Sequence, residues 1–315
     1  VNVRDKLITL ARKGGSYKEL ATTYRMWQME SGRDYEEICD GCDGAVTIAD
    51  SIYPPMLRRL HKPPIVLFYR GNLSLLERCP KVAIVGTRRA TSYGISVAEK
   101  LGYVLSQAGV PVVSGLARGI DVSSQKYAAE RGLAIAVLGN GLDIYYPYKN
   151  RKVQETIAEK GLLLSEYPCG TRGTKWSYVA RNRIIAALSS LVVVVESPER
   201  GGSIHTAEFA MELGIPVAAV PGDIFRITSK GTNALIADGA MIITRPEDVL
   251  DMIGVVAYEE KHHRLIDILK KHGGRMDISR IREYYDNTGK LMKDIAYLES
   301  NHIVRMEGSV VILIE

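Results

Sequence analysis

The sequence predicts an α/β protein built on a doubly wound, mainly parallel sheet. Three observations carry that expectation. Between Lys81 and Ile243, short apolar runs recur without in-and-out alternation, as in strands covered on both faces. Segments with helical periodicity separate them, and the connections are short, polar and rich in glycine.

Residues 1–62 read as a helical N-terminal domain. Val3, Leu7, Ile8, Leu10 and Ala11 fit one amphipathic segment, and Leu20, Tyr24, Trp27 and Met29 another, with Gly14-Gly15 and Gly41–Gly44 as punctuation. The proline pairs Pro54-Pro55 and Pro63-Pro64 exclude helix, and Ile65–Gly71 reads as a strand entering the next domain. Residues 63–253 form the sheet domain. Strands are expected at Val82–Val85, Pro111–Ser114, Ala134–Leu138, Leu162–Ser165, Leu191–Glu196, Val217–Val220 and Met241–Ile243. Helices are expected at Ser92–Gln107, Asp121–Glu130, Arg151–Glu159, Val179–Leu188, Ser203–Glu212, Thr232–Ala237 and Pro246–Met252. Right-handed crossovers bring every loop that follows a strand to one edge, where such sheets bind ligands.

Residues 254–261 read as a linker, and 262–315 as three helices and a hairpin, an order resembling a winged helix. Nine basic residues there face eight acidic ones, a net of about +1, which favours protein contacts over DNA for this segment.

The 315 residues carry a net charge of +5, with 46% hydrophobic and 24% charged residues, ordinary for a globular protein. No apolar run reaches the ~20 residues that span a bilayer, and no signal-peptide pattern opens the chain, so a cytoplasmic location without membrane contact is expected. Cys39-x-x-Cys42 has metal-site spacing, but no second pair completes it, and no metal is expected.

The distribution of charge says more than its total. Arg88, Arg89, Arg118, Lys149, Arg151, Lys152, Arg172, Lys175, Arg181 and Arg183 crowd the expected loops and the starts of the helices that follow them, while Glu99, Glu130, Glu155 and Glu159 fall further along helices. After Val85 the turn is Gly86-Thr87-Arg88-Arg89. A helix start following it offers free N–H groups to an anion, and the two arginines add donors suited to phosphate. The turn lacks Gly-x-Gly-x-x-Gly, and no Walker motif occurs, so neither NAD nor ATP, nor any other cofactor, is expected. Ser114 and Gly115 open the second turn, where Arg118 adds charge and Asp121 fits a helix cap or a partner for Arg118. Tyr146-Pro147 leads to Lys149 and Arg151. Lys175-Trp176-Ser177-Tyr178 leads to Arg181-Asn182-Arg183, and Gly201-Gly202-Ser203 makes a second anion cradle. Aromatic rings among cations suit a single-stranded nucleic acid, with Trp176 and Tyr178 as stacking candidates; the alternative is that both rings pack the loop down. His205 is a lone helical histidine. No Ser/His/Asp set, close carboxylate pair or metal cluster is arguable from spacing, and no catalytic residue is assigned.

These motifs together resemble the DNA-processing protein family known as DprA or Smf: Val85-Gly-Thr-Arg88, Ser114-Gly-Leu-Ala-Arg-Gly-Ile-Asp121, Val137-Leu-Gly-Asn-Gly-Leu-Asp143 with Tyr146-Pro147, Ser165-Glu-Tyr-Pro168, Arg181-Asn-Arg183, Gly201-Gly-Ser203 and Gly231-Thr-Asn233. The resemblance runs from about Tyr53 to Met252. It implies an extended Rossmann-like core that dimerises and a basic pocket for single-stranded DNA. It also implies protection of incoming DNA in natural transformation and loading of the recombinase RecA on strands coated with single-strand-binding protein. No enzymatic activity is implied. The pocket arginine falls on Arg88, and a second basic residue falls near Lys149 or Arg151. The family's N-terminal helical, SAM-like domain is matched poorly by the first 50 residues. Tyr178-Val179-Ala180 also lacks the proline that the family places before its Arg-Asn-Arg run.

Two other readings compete. One is a nucleoside-monophosphate phosphoribohydrolase-like enzyme of the same architecture, whose Pro-Gly-Gly-x-Gly-Thr-x-x-Glu motif is matched only by Gly201-Gly202 and Glu208, with Thr206 displaced. The other is an adaptor acting through the C-terminal segment.

Overall fold

The computed structural model of the chain describes residues 3–27, 41–255, 264–300 and 303–314. It divides into two compact units, Val1–Val256 and Ala257–Glu315.

Helices α1 (Val3–Arg12) and α2 (Tyr17–Trp27) open the first unit, followed by β1 (Gly44–Thr47) and β2 (Val66–Gly71). The alternating part then runs β3 (Val82–Val85), α3 (Ser92–Gln107), β4 (Val112–Ser114), α4 (Ile120–Glu130), β5 (Ala134–Leu138), α5 (Arg151–Lys160) and β6 (Leu162–Ser165). It continues with α6 (Lys175–Ala180), α7 (Asn182–Ala187), β7 (Leu191–Val194), α8 (Gly202–Glu212), β8 (Val217–Ala219), α9 (Ile227–Ala237), β9 (Met241–Ile242) and α10 (Asp248–Met252).

One nine-stranded sheet holds them in the order β1-β2-β6-β5-β4-β3-β7-β8-β9. Neighbours from β6 to β9 pair in parallel, whereas β2 runs antiparallel to β6 and β1 antiparallel to β2. From β3 the chain winds outward through β4, β5 and β6, then crosses to β7 and winds the other way. The crevice beyond β3 and β7 is therefore the topological switch point, where doubly wound sheets bind ligands. The core lies against both faces of β3, β4, β5, β6 and β7, every residue of which is buried. That two-sided burial is why these strands read as unbroken apolar runs.

Three expectations change, the smallest being that α9 starts at Ile227, five residues before the expected Thr232. The first 62 residues are not purely helical: Gly44–Thr47 is an edge strand whose partners are Thr47↔Val66 through Gly44↔Tyr69, so this stretch joins the large sheet. Four residues with one glycine carry too little pattern to announce it. The expected helix Val179–Leu188 is two, α6 and α7, joined at Arg181. Thr174 caps the first, its hydroxyl accepting the Ser177 N–H at 3.1 Å while Ser177 Oγ accepts the Thr174 N–H at 2.7 Å.

The second unit contains α11 (Arg264–Lys271), β10 (Arg275–Asp277), α12 (Ile278–Arg282), α13 (Thr288–Ser300), β11 (Val304–Glu307) and β12 (Val310–Leu313). Its antiparallel sheet has the order β10-β12-β11, so β10 is a strand the sequence pattern did not show. Leu265, Leu269, Ile281, Leu291, Leu298 and Val311 form its core. Asp277 caps α12 by accepting the Ser279 N–H at 2.9 Å.

Candidate nucleic-acid interface

The loops after β3, β4, β5, β6 and β7 enclose a cavity of about 840 Å³ at the switch point. The β3 loop supplies Gly86, Thr87, Arg88 and Arg89, and the β7 loop supplies Pro198, Gly201, Gly202, Ser203 and Thr206. Ala117 and Asp121 come from β4, Tyr145 and Tyr146 from β5, and Arg172, Lys175, Tyr178, Arg181 and Asn182 from β6.

Backbone contacts fix this edge. The Thr87 N–H donates to the Glu196 carbonyl at 2.7 Å, tying the β3 and β7 loops together. The buried Glu196 carboxylate accepts the Thr91 N–H at 2.8 Å and the Thr91 hydroxyl at 2.7 Å, which sets the start of α3 behind Arg88 and Arg89. Gly119, at φ 78°, starts α4 so close to the β3 loop that a Cβ there would lie 2.4 Å from the Thr87 carbonyl oxygen. On the other side, Ser203 Oγ donates to Ser197 Oγ at 2.8 Å, and the Asn182 amide donates to the Gly202 carbonyl at 3.0 Å.

The floor is a buried ion pair. Arg181 Nη2 lies 3.8 Å from Asp121 Oδ2, with both residues about 5% exposed or less. Arg181 also donates through Nη1 to the Val137 carbonyl, and Asp121 accepts the backbone N–H groups of Ala117 and Gly86. Burial pushes the Asp121 carboxyl above its ordinary value, opposed by Arg181 and those two N–H groups, and burial likewise lowers Arg181. Gly115 makes room for the pair: a Cβ there would lie 1.6 Å from Arg181 Nη1.

Above this floor stand Arg88, Arg89, Arg172 and Lys175, all exposed. The Arg88 guanidinium sits 5.5 Å from the Tyr178 ring centre, and Tyr178 stacks on Tyr146 with 5.2 Å between ring centres and 24° between planes. Burial raises the Tyr178 hydroxyl above its ordinary pKa. The only carboxylate on the described walls, Asp121, is already paired. The cavity thus presents cations, amide dipoles at the α8 start and two parallel rings, a set that accepts a phosphate beside a planar base.

The sequence-predicted residues divide accordingly. Gly86, Thr87, Arg88, Arg89, Lys175, Tyr178, Arg181, Asn182, Gly201, Gly202 and Ser203 meet at the cavity. Ser114 and Gly115 lie beneath it: the buried Ser114 hydroxyl donates to the Ile84 carbonyl at 2.6 Å and is not free for a ligand. Asp121 is neither the helix cap, which is Gly119, nor a partner of Arg118, which is exposed outside the walls. Trp176 is 79% exposed and does not line the cavity either. Arg183 turns away to Glu166 at 2.6 Å. Neither Lys149 nor Arg151 reaches the walls: Lys149 is exposed on the turn before α5, and Arg151 donates to Glu155 at 2.8 Å and to the Tyr148 hydroxyl at 3.1 Å. Tyr146, Arg172 and the Glu196 hub were not singled out as site residues, although Arg172 stood in the basic rim and Tyr146 in the Tyr-Pro motif.

Two further expectations meet the structure here. Glu208, needed by the phosphoribohydrolase reading, is half-exposed, pairs with His205 at 2.8 Å and lies off the walls. Cys39 lies outside the described residues, among which no cluster of His, Cys, Asp and Glu is arranged to hold a metal, and no helix is long and apolar enough to cross a membrane.

Residues 44–254 match the family model described as DNA recombination-mediator protein A. The chain is 44% identical to DNA processing protein DprA of Streptococcus pneumoniae over 205 residues, covering 65% of this chain and 72% of that one. It is 39% identical to DprA of Bacillus subtilis over 207 residues, 65% of this chain and 70% of the relative. Among solved structures, S. pneumoniae DprA superposes with a TM-score of 0.64 at 38% identity, covering 74% of this chain and 82% of the other. DNA processing protein A of Helicobacter pylori, solved for its single-stranded DNA binding mode, gives 0.62 at 32%, covering 70% and 97%. With its α/β sheet, its switch-point cavity and two thirds of its length matched, the chain belongs to the DNA recombination-mediator protein A family, the DprA/Smf proteins.

Proposed function

We propose that this chain binds single-stranded DNA in the switch-point cavity and acts as a recombination mediator rather than as an enzyme. The observation that carries the reading is the grouping of Arg88, Arg89, Arg172 and Lys175 around the stacked Tyr146–Tyr178 pair, over a floor whose one carboxylate is neutralised by Arg181. Phosphates sit against the Gly86–Arg89 turn and the Gly201–Ser203 helix start, and bases lie against Tyr178. Phosphate contacts of this kind fix position without reading sequence, so binding is general for single strands. Duplex DNA keeps its bases stacked inside and offers nothing to the rings.

The wider role follows from family membership: protection of incoming strands in natural transformation, handover to RecA, contact with single-strand-binding protein and assembly as a homodimer, in the cytoplasm. The helices of the first 62 residues are read as an N-terminal module joined to the sheet, residues 63–253 as the DNA-binding domain and 254–261 as a linker, of which 256–261 lie outside the described residues. Residues 262–315 are read as a winged helix that serves protein contacts, since its charge is nearly balanced.

Fluorescence anisotropy with labelled oligothymidylate and a matched duplex tests the reading. Strong preference for the single strand, weakening steeply with salt, is expected. Equal affinity for duplex, or release of adenine on incubation with AMP, contradicts it.

A further inference from the structure

The loop between β8 and α9 and the first residue of that helix expose apolar side chains to solvent: Ile224, Phe225 and Ile227 are 72%, 87% and 70% exposed. The loop is braced. The Asp223 carboxylate accepts the Phe225 N–H at 2.9 Å, and the Asp223 carbonyl accepts the Arg226 N–H at 3.1 Å. Phe225 is thereby held at the tip of a tight turn, an ordered platform whose ring has no intramolecular partner among the described residues. Arg226 and Lys230 follow it in the chain, and both are exposed.

This loop adjoins the cavity directly. The Ser197 N–H donates to the Thr228 carbonyl at 2.7 Å, and the Gly231 N–H donates to the Ser197 carbonyl at 2.9 Å, so the first turn of α9 is bonded to the strand end leading into cavity-lining Pro198. On the α3 side, the half-exposed Tyr93 donates its hydroxyl to the Pro221 carbonyl at 3.1 Å, four residues beyond Arg89 and four before Phe225. Arg88, Arg89, Tyr93, Phe225, Arg226 and Lys230 thus stand on segments bonded to one another at one edge of the sheet. All belong to loops and helix starts that follow parallel strands.

We propose that this loop is a second single-stranded DNA subsite, continuing the strand path out of the cavity. A base stacks on Phe225, and the adjoining phosphates meet Arg226 and Lys230. The proposal rests on the cavity's reading as a single-stranded DNA site. A protein partner would use the apolar triad, but would have to bury two cations as well; a polyanion with planar bases satisfies both features at once.

The test uses the full chain and two labelled oligothymidylates, a short one of about 6 nucleotides that fills the cavity and a long one of about 15 that also reaches the loop. Wild type should bind the long one more tightly. Phe225→Ala should leave the short oligonucleotide unchanged and weaken the long one about tenfold, with Phe225→Trp restoring it. The double variant Arg226→Ala/Lys230→Ala should flatten the salt dependence for the long oligonucleotide alone. These side chains are exposed, so the fold is kept. A Phe225→Ala protein that binds both oligonucleotides as wild type does overturns the subsite and leaves the cavity reading intact. So does one whose only change is a lower mass by light scattering, which would make the loop a protein contact. Failure of wild type to bind the short oligonucleotide overturns the cavity reading itself.

Discussion

Arg181 and Asp121 meet beneath the cavity at 3.8 Å, both shut off from water; the pair joins the β6 loop, which carries Arg172 and Lys175, to the β4 loop, and Asp121 also accepts the Gly86 N–H of the β3 loop, which carries Arg88 and Arg89. Removing the arginine leaves a buried carboxylate without its partner, which costs about 3–5 kcal/mol. Arg181→Met should therefore lower the urea midpoint markedly. The double variant Arg181→Met/Asp121→Asn should recover most of the loss, giving a large coupling energy in a double-mutant cycle.

Gly115→Ala should act through the same pair without touching any ligand. The new methyl would lie on Arg181 Nη1, 1.6 Å away, so the guanidinium must move and the floor with it. A destabilisation of about 1–3 kcal/mol is expected, together with weaker oligonucleotide binding. Denaturant unfolding and anisotropy on one preparation check both.

Tyr178 carries the ring that Tyr146 stacks on, with the Arg88 guanidinium 5.5 Å from its centre. Tyr178→Ala should weaken oligothymidylate binding about tenfold, because one base loses its platform. Tyr178→Phe should bind nearly as wild type, since its hydroxyl makes only a 3.4 Å contact to Asn140. Trp176→Ala, at a ring off the walls, should change affinity little.

In the C-terminal unit, Asp277 accepts hydrogen bonds from the Ser279 N–H, the Ser279 hydroxyl and the Ser309 hydroxyl, which lower its pKa from the ordinary 3.8 to about 2. A carboxyl held below its unfolded value favours the folded state fully above that unfolded value, and the contribution is lost as pH falls through the folded one. The stability of this unit should therefore decline between about pH 4 and pH 2. Carboxyl chemical shifts followed by NMR should show Asp277 titrating near the bottom of that window, and Asp277→Asn should flatten the decline.

The sheet was legible in the sequence because its parallel strands are buried on both faces, so Val82–Val85, Ala134–Leu138 and Leu162–Ser165 stand out as apolar blocks. Edge strands β1 and β10 escaped, being four and three residues long and lacking that signature. Within the site, the turns that carry glycine and arginine together, Gly86–Arg89 and Gly201–Ser203, announced themselves. What sequence spacing does not encode is where a long side chain ends. Arg181 and Arg183 are two residues apart, yet one lies under the cavity and the other turns to Glu166. Ser114 looked like a donor for a ligand, but β3 uses its hydroxyl. Tyr146 found its role through Tyr178, which is remote in sequence.

Whether the Arg88 cavity holds single-stranded DNA is tested most directly by anisotropy of oligothymidylate binding to wild type and Arg88→Ala across a salt series. At least a tenfold loss (about 1.4 kcal/mol) and a logarithmic salt slope shallower by about 0.7, one single-strand phosphate contact fewer, are expected. An Arg88→Ala protein with wild-type affinity and an unchanged slope would contradict the account and place the DNA elsewhere on the molecule.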